Sequence, residues 1–140
     1  MVRFPDGVEV RGRGLGRPRP DEPEPDYGLY LGTNRLRRKH GGGITWPQEW
    51  ITWPDFLLPL DRTDAIAKIK ALHERAGVET VEVACYGGAG RTGTVMACLA
   101  VLSGVPAEDA VAWVRANYHE RAVETPWQRG WVKSFAKRLD

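Results

Sequence analysis

The chain has 140 residues, of which 42% are hydrophobic and 27% are charged. These fractions are typical of a globular protein, and the length predicts a single domain spanning residues 1–140. The net charge of +2 is too small to indicate nucleic-acid binding by itself. The sequence has no apolar run long enough to span a membrane, and its first residues lack the apolar stretch of a signal peptide. Composition therefore favours a protein of the cytoplasm.

The first 26 residues are rich in arginine, glycine and proline. Proline cannot join a helix or the interior of a sheet, so residues 1–26 are expected to be largely loop, with a short edge strand over residues 8–10. Residues 27–32 alternate in the manner of a strand. Basic side chains follow within residues 35–40. They predict either a surface that attracts an anionic substrate or a solvated, flexible loop.

Residues 44–60 contain two similar tripeptides, Trp-Pro-Gln at 46–48 and Trp-Pro-Asp at 53–55. Only the second has a carboxylate that can transfer a proton, on Asp55. Proline and aspartate are common in turns, so a simple turn is the alternative interpretation. Residues 57–60 are expected to form a short buried strand or a loop.

The next segments alternate between helical and strand patterns. Asp61 or Thr63 begins a helix that Gly77 ends. Its apolar face has helical spacing and consists of Ala65, Ile69, Leu72 and Ala76. A β-branched strand follows over residues 80–84, and the apolar residues 94–102 predict a central buried helix. This order predicts an α/β fold with a small central, mostly parallel sheet flanked by helices.

Two more helices are predicted near the C-terminus. Pro106 begins the first, and the second begins at Thr125, which has the spacing of a capping box with Gln128. The packed faces are expected to be Val111, Val114 and Tyr118 in the first helix, and Trp127, Trp131, Phe135 and Leu139 in the second.

A glycine-rich run, Cys-Tyr-Gly-Gly-Ala-Gly-Arg-Thr-Gly at residues 85–93, joins the predicted strand to the buried helix. Backbone N–H groups and the positive end of the helix dipole converge at such a junction, and glycine lets the backbone approach an anion closely. The same field favours the thiolate of Cys85, while the guanidinium of Arg91 can hold two oxygens of a phosphoryl group. We therefore predict a cysteine that attacks phosphorus. The expected phosphate-binding residues are Tyr86, Gly87, Gly88, Ala89, Gly90 and Arg91.

The run from Cys85 to Thr92 resembles the Cys-x5-Arg-Thr signature of the cysteine-dependent protein phosphatases, and is most similar to small dual-specificity and tyrosine phosphatase-like members. Arsenate reductases and rhodanese-like phosphatases share Cys-x5-Arg. However, Asp55 precedes Cys85 by about thirty residues, which is also similar to the compact phosphatases. The resemblance implies a dual-specificity-phosphatase fold that uses neither a metal nor another cofactor.

By this resemblance Cys85 is the nucleophile, Arg91 stabilises the transition state, and Asp55 is the general acid and, by reversal, the base for the attacking water. Two roles stay open. Thr92 either donates its hydroxyl to the Cys85 sulfur or satisfies local backbone groups. Gln128 either orients the hydrolytic water or only caps its helix.

Three other residues bear on this interpretation. Asp61 and Asp64 are substitutes for the acid, but they suit helix capping better. Cys98 is expected to lie in the core rather than to form a disulfide with an oxidised Cys85, and two cysteines do not suggest a disulfide framework. The resemblance is incomplete at Ala84, because family members usually have a histidine before the cysteine that orients the loop.

The sequence thus predicts a cysteine-dependent phosphomonoesterase that hydrolyses phosphotyrosine, with phosphoserine and phosphothreonine as further substrates, through a thiophosphoryl-cysteine intermediate. The loop has no lysine, which disfavours multiply phosphorylated inositides. The alternative is a phosphate- or phosphopeptide-binding module with weak or no activity. The expected partner is a phosphorylated protein or peptide, bound by a monomer that engages neither nucleic acid nor membrane.

Overall fold

A computed structural model describes residues 1–139, and its first three elements are strands while its last three are helices. The strands are β1 (Val2–Arg3), β2 (Glu9–Gly14), β3 (Tyr27–Gly32), β4 (Gln48–Thr52) and β5 (Val81–Cys85). The α-helices are α1 (Asn34–His40), α2 (Arg62–Ala76), α3 (Gly90–Leu102), α4 (Ala110–Asn117) and α5 (Pro126–Lys137). None of these helices is both long and apolar enough to cross a bilayer.

The strands form one sheet in the order β1-β2-β5-β3-β4. Only β1 and β2 pair antiparallel, and the other neighbours are parallel. Parallel strands need crossover connections, and here α1 connects β3 to β4, α2 connects β4 to β5, and the proline-rich loop connects β2 to β3. The predicted α/β fold with a mostly parallel sheet is therefore confirmed. Cys85 lies at the carboxyl end of the central strand, the edge where open α/β sheets bind their ligands.

Apolar side chains cover both faces of this sheet. The larger cluster joins alternate residues of β3 and β5 to helices α2, α3, α4 and α5. Helix α3 is buried from Gly90 to Ala100, as its apolar sequence predicts. A smaller cluster on the opposite face includes Tyr30, Trp46 and Trp50. Side chains therefore cover both faces of the sheet, and its carboxyl edge remains accessible to a ligand.

The N-terminal segment contributes more structure than a short edge strand. Strand β2 extends to Gly14 and lies between β1 and β5, so it is not an edge. Its two glycines allow close packing, because a Cβ atom at Gly12 would lie 2.6 Å from the Tyr118 ring. Arg11 then ties the strand to the proline-rich loop by donating to the Pro23 carbonyl at 2.7 Å.

Two elements on the opposite face also differ from the sequence expectation. The basic residues lie on helix α1 and not in a flexible loop, because Leu36 packs on the smaller cluster and Arg37 lies over the Trp50 ring. The strand in the tryptophan-rich segment is β4, not residues 57–60. This strand lies between Pro47 and Pro54; it pairs with β3 and buries Ile51.

Candidate active site

Cys85 lines a cavity of about 450 Å³ at the carboxyl edge of the sheet. The thiol is only 1% exposed, and its Sγ accepts a hydrogen bond from the Gly88 N–H at 3.1 Å. Helix α3 begins at Gly90, so its positive N-terminus lies just beyond the loop. The nucleophile predicted from the sequence therefore faces a hollow in which an anion would be stabilised.

Hydrogen bonds hold the carbonyl groups of the phosphate-binding loop on the outer side of the loop. The carbonyls of residues 86–88 accept hydrogen bonds from the Gly16 N–H at 2.9 Å, the Arg17 guanidinium at 3.2 Å and the Tyr118 hydroxyl. In a trans peptide the N–H points away from the adjacent carbonyl, so the N–H groups of residues 87–89 point the other way, as Gly88 does toward sulfur. The amides predicted to cradle phosphate are therefore oriented for that task.

Two glycines make this cradle possible. Gly88 has φ of +84°, a conformation that side-chain-bearing residues rarely adopt. Gly14 packs directly under the loop, and a Cβ atom there would lie 2.7 Å from the Gly87 carbonyl oxygen. The end of β2 thus supports the loop from outside, and a side chain on either glycine would push the two segments apart.

Arg91 points its guanidinium into the site and is 4% exposed. Its Nη1 donates to the Trp53 carbonyl at 2.9 Å, and its Nε lies 3.5 Å from Asp55 Oδ1. The Nε group itself has no hydrogen-bond partner among the described residues. The Nε donor therefore remains available to an oxyanion, which the predicted role of Arg91 requires.

The predicted acid lies on a segment that we call the flap, residues 53–57. Asp55 lines the cavity with its side chain 52% exposed. A hydrogen bond joins the two ends of the flap, because the buried Trp53 indole donates to the Leu57 carbonyl at 2.8 Å. It is tied to α5 because the Trp127 indole donates to the Phe56 carbonyl. Trp127 is accordingly 49% exposed, so its predicted place on the packed face of α5 is wrong, whereas Trp131 and Phe135 are buried there.

Gln128 lies outside the cavity lining. Its side chain is fully buried, Nε2 donates to the Leu57 carbonyl at 3.2 Å, and Oε1 accepts from the Glu124 N–H at 3.0 Å. Its own N–H donates to Thr125 Oγ1, which confirms the predicted helix cap. In this arrangement both ends of the amide are bonded to backbone groups.

Neither of the two roles left open for Thr92, a bond to the Cys85 sulfur or a bond to local backbone groups, is seen in the described residues. The Thr92 hydroxyl is buried and has no hydrogen-bond partner in residues 1–139. Asp61 caps α2 by accepting from the Asp64 N–H at 3.0 Å, and Asp64 pairs with Lys68 at 3.0 Å, so both substitute acids have structural roles. Cys98 is fully buried in α3, and burial raises the pKa of its thiol well above the usual range.

Sequence reasoning missed several residues that line the cavity, namely Arg17, Phe56, His119, Glu120, Arg121 and Glu124. Glu124 lines the cavity beside Arg91, and its Oε1 lies against Gly90 at the start of α3. The segment of residues 119–124 packs over that helix end, where Gly93 contacts Ala122. The available signal was an acid immediately before the cap of the last helix, but only the fold brings it to the nucleophile.

Ala84 lies on the other face of the sheet from Cys85, in the smaller cluster. The loop orientation that the usual histidine supports comes instead from Gly16, Arg17 and Tyr118. Burial raises the pKa of the Tyr118 hydroxyl, and a charge on Cys85 raises it further, so this group remains a hydrogen-bond donor at neutral pH. The missing histidine therefore does not leave the loop without support.

A second cavity of about 440 Å³ adjoins the first and shares Asp55, Tyr86 and Arg91 with it. Its other wall is helix α1, which contributes Arg35, Lys39 and His40. None of these three forms a salt bridge within the described residues, and the buried His40 Nε2 also lacks a hydrogen-bond partner there. The approach to Cys85 is therefore positively charged on this side.

Comparisons with known proteins agree with this geometry. The sequence profile of the protein-tyrosine phosphatase family matches residues 33–122, more than half of the chain. Two uncharacterized proteins of Methanocaldococcus jannaschii are 39% and 36% identical to it over 93 and 92 residues. These matches cover 66% and 65% of this chain but 61% and 56% of those proteins, so the chain spans less than two thirds of their length.

Solved phosphatase structures have the same fold. Tk-PTP in its active form has a TM-score of 0.70 and 24% identity, covering 98% of this chain and 97% of that one. Kinase associated phosphatase scores 0.67 at 18% identity, covering 81% and 70%, and PTPMT1 in complex with PI(5)P scores 0.61 at 16%, covering 81% and 77%. At these identities the likeness shows the fold alone. Because the family profile matches as well, the chain belongs to the protein-tyrosine phosphatase family, as a small member of the cysteine-dependent phosphatase superfamily.

Proposed function

We propose that this protein hydrolyses phosphotyrosine in proteins or peptides, with phosphoserine and phosphothreonine as further substrates. The observation that carries the proposal is that the Cys85 sulfur, the inward-facing amides of residues 87–89 and the Arg91 guanidinium meet at one cavity. A phosphate dianion placed there would accept hydrogen bonds on its equatorial oxygens, while sulfur faces the phosphorus.

In the first step the Cys85 thiolate attacks phosphorus, a P–S bond forms, and the P–O bond to the leaving group breaks. The departing oxygen is a poor leaving group, so a positioned carboxylic acid accelerates its departure by about 100- to 10,000-fold. Asp55 suits this role because the half-exposed flap carries it to the mouth of the cavity, where the leaving group departs. Water then hydrolyses the thiophosphoryl-cysteine, releases inorganic phosphate and restores the thiolate.

The cavity walls favour an aromatic phosphate ester over an aliphatic one. Tyr86 and Phe56 both line the cavity, and each is 51% exposed. An exposed aromatic ring is stabilised when contact with another apolar or aromatic group buries it. Between them they offer two surfaces on which the phenol ring of phosphotyrosine can pack. The shorter side chains of phosphoserine and phosphothreonine would leave these rings uncovered.

Hydrolysis of para-nitrophenyl phosphate tests the proposal. We expect turnover by the wild type, none by Cys85→Ser, and a fall of about 100- to 10,000-fold in Asp55→Asn. Cys98→Ala is the matched control because it removes the other thiol, which is buried in α3, and it should retain turnover. A wild type that binds inorganic phosphate but hydrolyses no aryl phosphate would instead be a binding module.

The proposal extends to the setting in which the reaction occurs. We propose that the protein acts as a monomer in the cytoplasm, on phosphorylated proteins or peptides and without a metal, nucleic acid or membrane. A reducing compartment keeps the Cys85 thiol from oxidation, which its chemistry requires. Analytical ultracentrifugation tests the monomer, and turnover that survives a chelator tests the independence from metal.

A further inference from the structure

A second cavity adjoins the catalytic one, and the chemical steps described above do not use it. Its volume is about 440 Å³, and it shares Asp55, Tyr86 and Arg91 with the cavity that Cys85 lines. Tyr86 therefore forms part of the wall of both. A substrate held by its phosphoryl group at Cys85 lies at the border between the two cavities, so a neighbouring group of the same molecule can enter the second one.

Helix α1 gives this second cavity cationic groups that no acid of the described chain pairs with. Arg35, Lys39 and His40 line it, and none of them forms a salt bridge within residues 1–139. Asp55 is the one acid among the described residues of the lining, and Arg91 Nε lies 3.5 Å from its Oδ1. Arg91 thus offsets the charge of Asp55, and the cations of α1 are left for a ligand.

His40 adds a ring nitrogen that is already removed from water. Its Nε2 is buried and has no hydrogen-bond partner in the described part of the chain. Its ring lies edge-on to the Tyr86 ring, with 6.3 Å between the ring centroids. A buried polar group without a partner costs free energy, which an oxygen of a ligand in this cavity would recover by accepting a hydrogen bond.

These groups suit a phosphoryl group better than a carboxylate. A carboxylate carries a single negative charge, whereas a phosphate monoester carries about 1.5 to 2 negative charges at pH 7 and has three strong acceptor oxygens. The guanidinium of Arg35, the ammonium of Lys39 and the imidazole of His40 can each donate to one of those oxygens. Hydrogen bonds between charged partners are about twice as strong as neutral ones.

We propose that the second cavity binds a second phosphoryl group of the substrate; this rests on the proposed phosphatase function. The preferred substrates are then peptides phosphorylated on a tyrosine and also on a serine or threonine one or two positions away. Consecutive residues of an extended peptide lie about 3.3 Å apart, so a side chain at that separation can reach an adjoining cavity. Cys85 attacks the phosphotyrosine, and α1 holds the second phosphoryl group without reacting with it.

A set of phosphotyrosine peptides that differ at one neighbouring position tests this inference. That position carries serine, glutamate or phosphoserine, and it is placed in turn within two residues on either side of the phosphotyrosine. The tyrosine absorbance that appears on hydrolysis measures loss of the phosphotyrosine phosphate alone. At one or more positions we expect phosphoserine to raise kcat/KM over serine by at least about tenfold, through a lower KM. Glutamate should raise it less.

Variants of α1 show which side chains produce this gain. The readout is the ratio of kcat/KM for the phosphoserine peptide to that for the serine peptide within each variant, so a change in general activity cancels. Arg35→Gln combined with Lys39→Gln should bring the ratio close to one, and both positions are exposed, so the fold should survive. His40→Phe keeps a ring beside Tyr86 but removes the buried donor, and it should lower the ratio by a smaller factor.

Two controls separate a binding site from general attraction of charge. Lys70→Gln combined with Lys133→Gln removes the same charge from exposed positions of α2 and α5, and it should keep the wild-type ratio. Added salt screens long-range attraction much more than contacts in a cavity. The wild-type ratio should therefore persist at high salt, and a ratio that falls to one there would overturn the inference.

The remaining outcomes distinguish this inference from the function on which it rests. If the wild type hydrolyses the serine peptide but phosphoserine adds nothing at any position, or glutamate adds as much, the second cavity is not a phosphoryl site and the phosphatase function stands. If no phosphotyrosine peptide is hydrolysed, the proposed function fails. Calorimetric titration of Cys85→Ser with the same peptides then tests the cavity by itself, since phosphoserine should tighten binding by about tenfold or more.

Discussion

At the scale of single residues, the shape of the candidate active site depends on a glycine that leaves room for a neighbouring backbone. Gly14 leaves room for the loop backbone, since a Cβ there would lie 2.7 Å from the Gly87 carbonyl oxygen. We expect Gly14→Ala to displace the loop and to reduce kcat/KM for para-nitrophenyl phosphate by at least about tenfold. Overpacking of this kind costs about 1–3 kcal/mol of unfolding free energy.

The matched control is Gly43→Ala, at a position with no atom within 4 Å of the added carbon. It should leave activity and stability nearly unchanged, as measured by steady-state kinetics and urea unfolding. Equal activity in Gly14→Ala and wild type would mean that β2 does not shape the loop.

Residues whose chemistry is local could be predicted from the sequence. Cys85 and Arg91 belong to one short run, and the fold brings Asp55 to the same cavity from about thirty residues away. Glu124 could not be predicted because its proximity to the loop arises only when residues 119–124 pack over the start of α3. Gln128 has the right residue type in the right region, but both ends of its amide are used by backbone groups.

At the scale of elements, helix α1 concentrates positive charge beside the active site. Its basic residues are Arg35, Arg37, Arg38, Lys39 and His40, with no acid in its first turn. We expect the double change Arg35→Glu and Lys39→Glu to lower kcat/KM for a phosphotyrosine peptide flanked by acidic residues by about tenfold or more, with little effect on para-nitrophenyl phosphate. Opposite charges steer encounter, so the loss should shrink as salt is added.

The pair Lys70→Glu and Lys133→Glu makes the same change in net charge on α2 and α5, at exposed positions away from both cavities. It should leave the acidic peptide's kcat/KM close to the wild-type value. If both pairs of changes have equal effects, net charge and not the position of α1 accounts for the difference.

The flap and α5 are also connected at the scale of elements, through the side chain of Gln128. Gln128→Leu keeps the approximate size of the side chain but leaves the Leu57 carbonyl and the Glu124 N–H unpaired. Leaving a buried polar group unsatisfied costs about 1–3 kcal/mol, so urea unfolding should show a loss of at least this size. Gln128→Glu keeps an acceptor for the Glu124 N–H, but it places a fully buried carboxylate against the Leu57 carbonyl and should lose at least as much.

The elements that sequence reasoning missed have mixed local signals. The run of like charges in α1 disfavours a helix locally, and contacts of Leu36 and Arg37 with the cluster around Trp50 outweigh it. Strand β4 lies between Pro47 and Pro54, which suggest turns, and its identity depends on pairing with β3. By contrast α3 is apolar on every side, and its prediction needed no distant contact.

At the scale of the whole molecule, a hydrogen bond between Asp6 and His73 joins the N-terminal hairpin to the far end of α2. Asp6 Oδ2 lies 2.8 Å from His73 Nε2. Burial alone would raise the pKa of the Asp6 carboxyl, but hydrogen bonds with the His73 imidazole and the Val8 N–H lower it below 3.8. Its contribution to stability is therefore present above that value and is lost as the pH falls through the lowered pKa.

We accordingly expect Asp6→Asn to lower the unfolding free energy at pH 7, with a difference from wild type that disappears in strongly acidic solution. Urea unfolding over a series of pH values measures this. Asp21→Asn, at an exposed aspartate without an ion pair in the described part of the chain, should show no such dependence. A difference for Asp6→Asn that persists below its pKa would contradict the assignment.

The family profile begins at residue 33 and ends at residue 122. A fragment trimmed to those limits would retain the nucleophile, the arginine and the flap aspartate. It would lack Gly14, Gly16 and Arg17, which support the loop from outside, and it would also lack Glu124, which lies before α5, and Gln128 of α5. We therefore expect a shortened version of this protein to keep its loop geometry only if it retains these flanking residues.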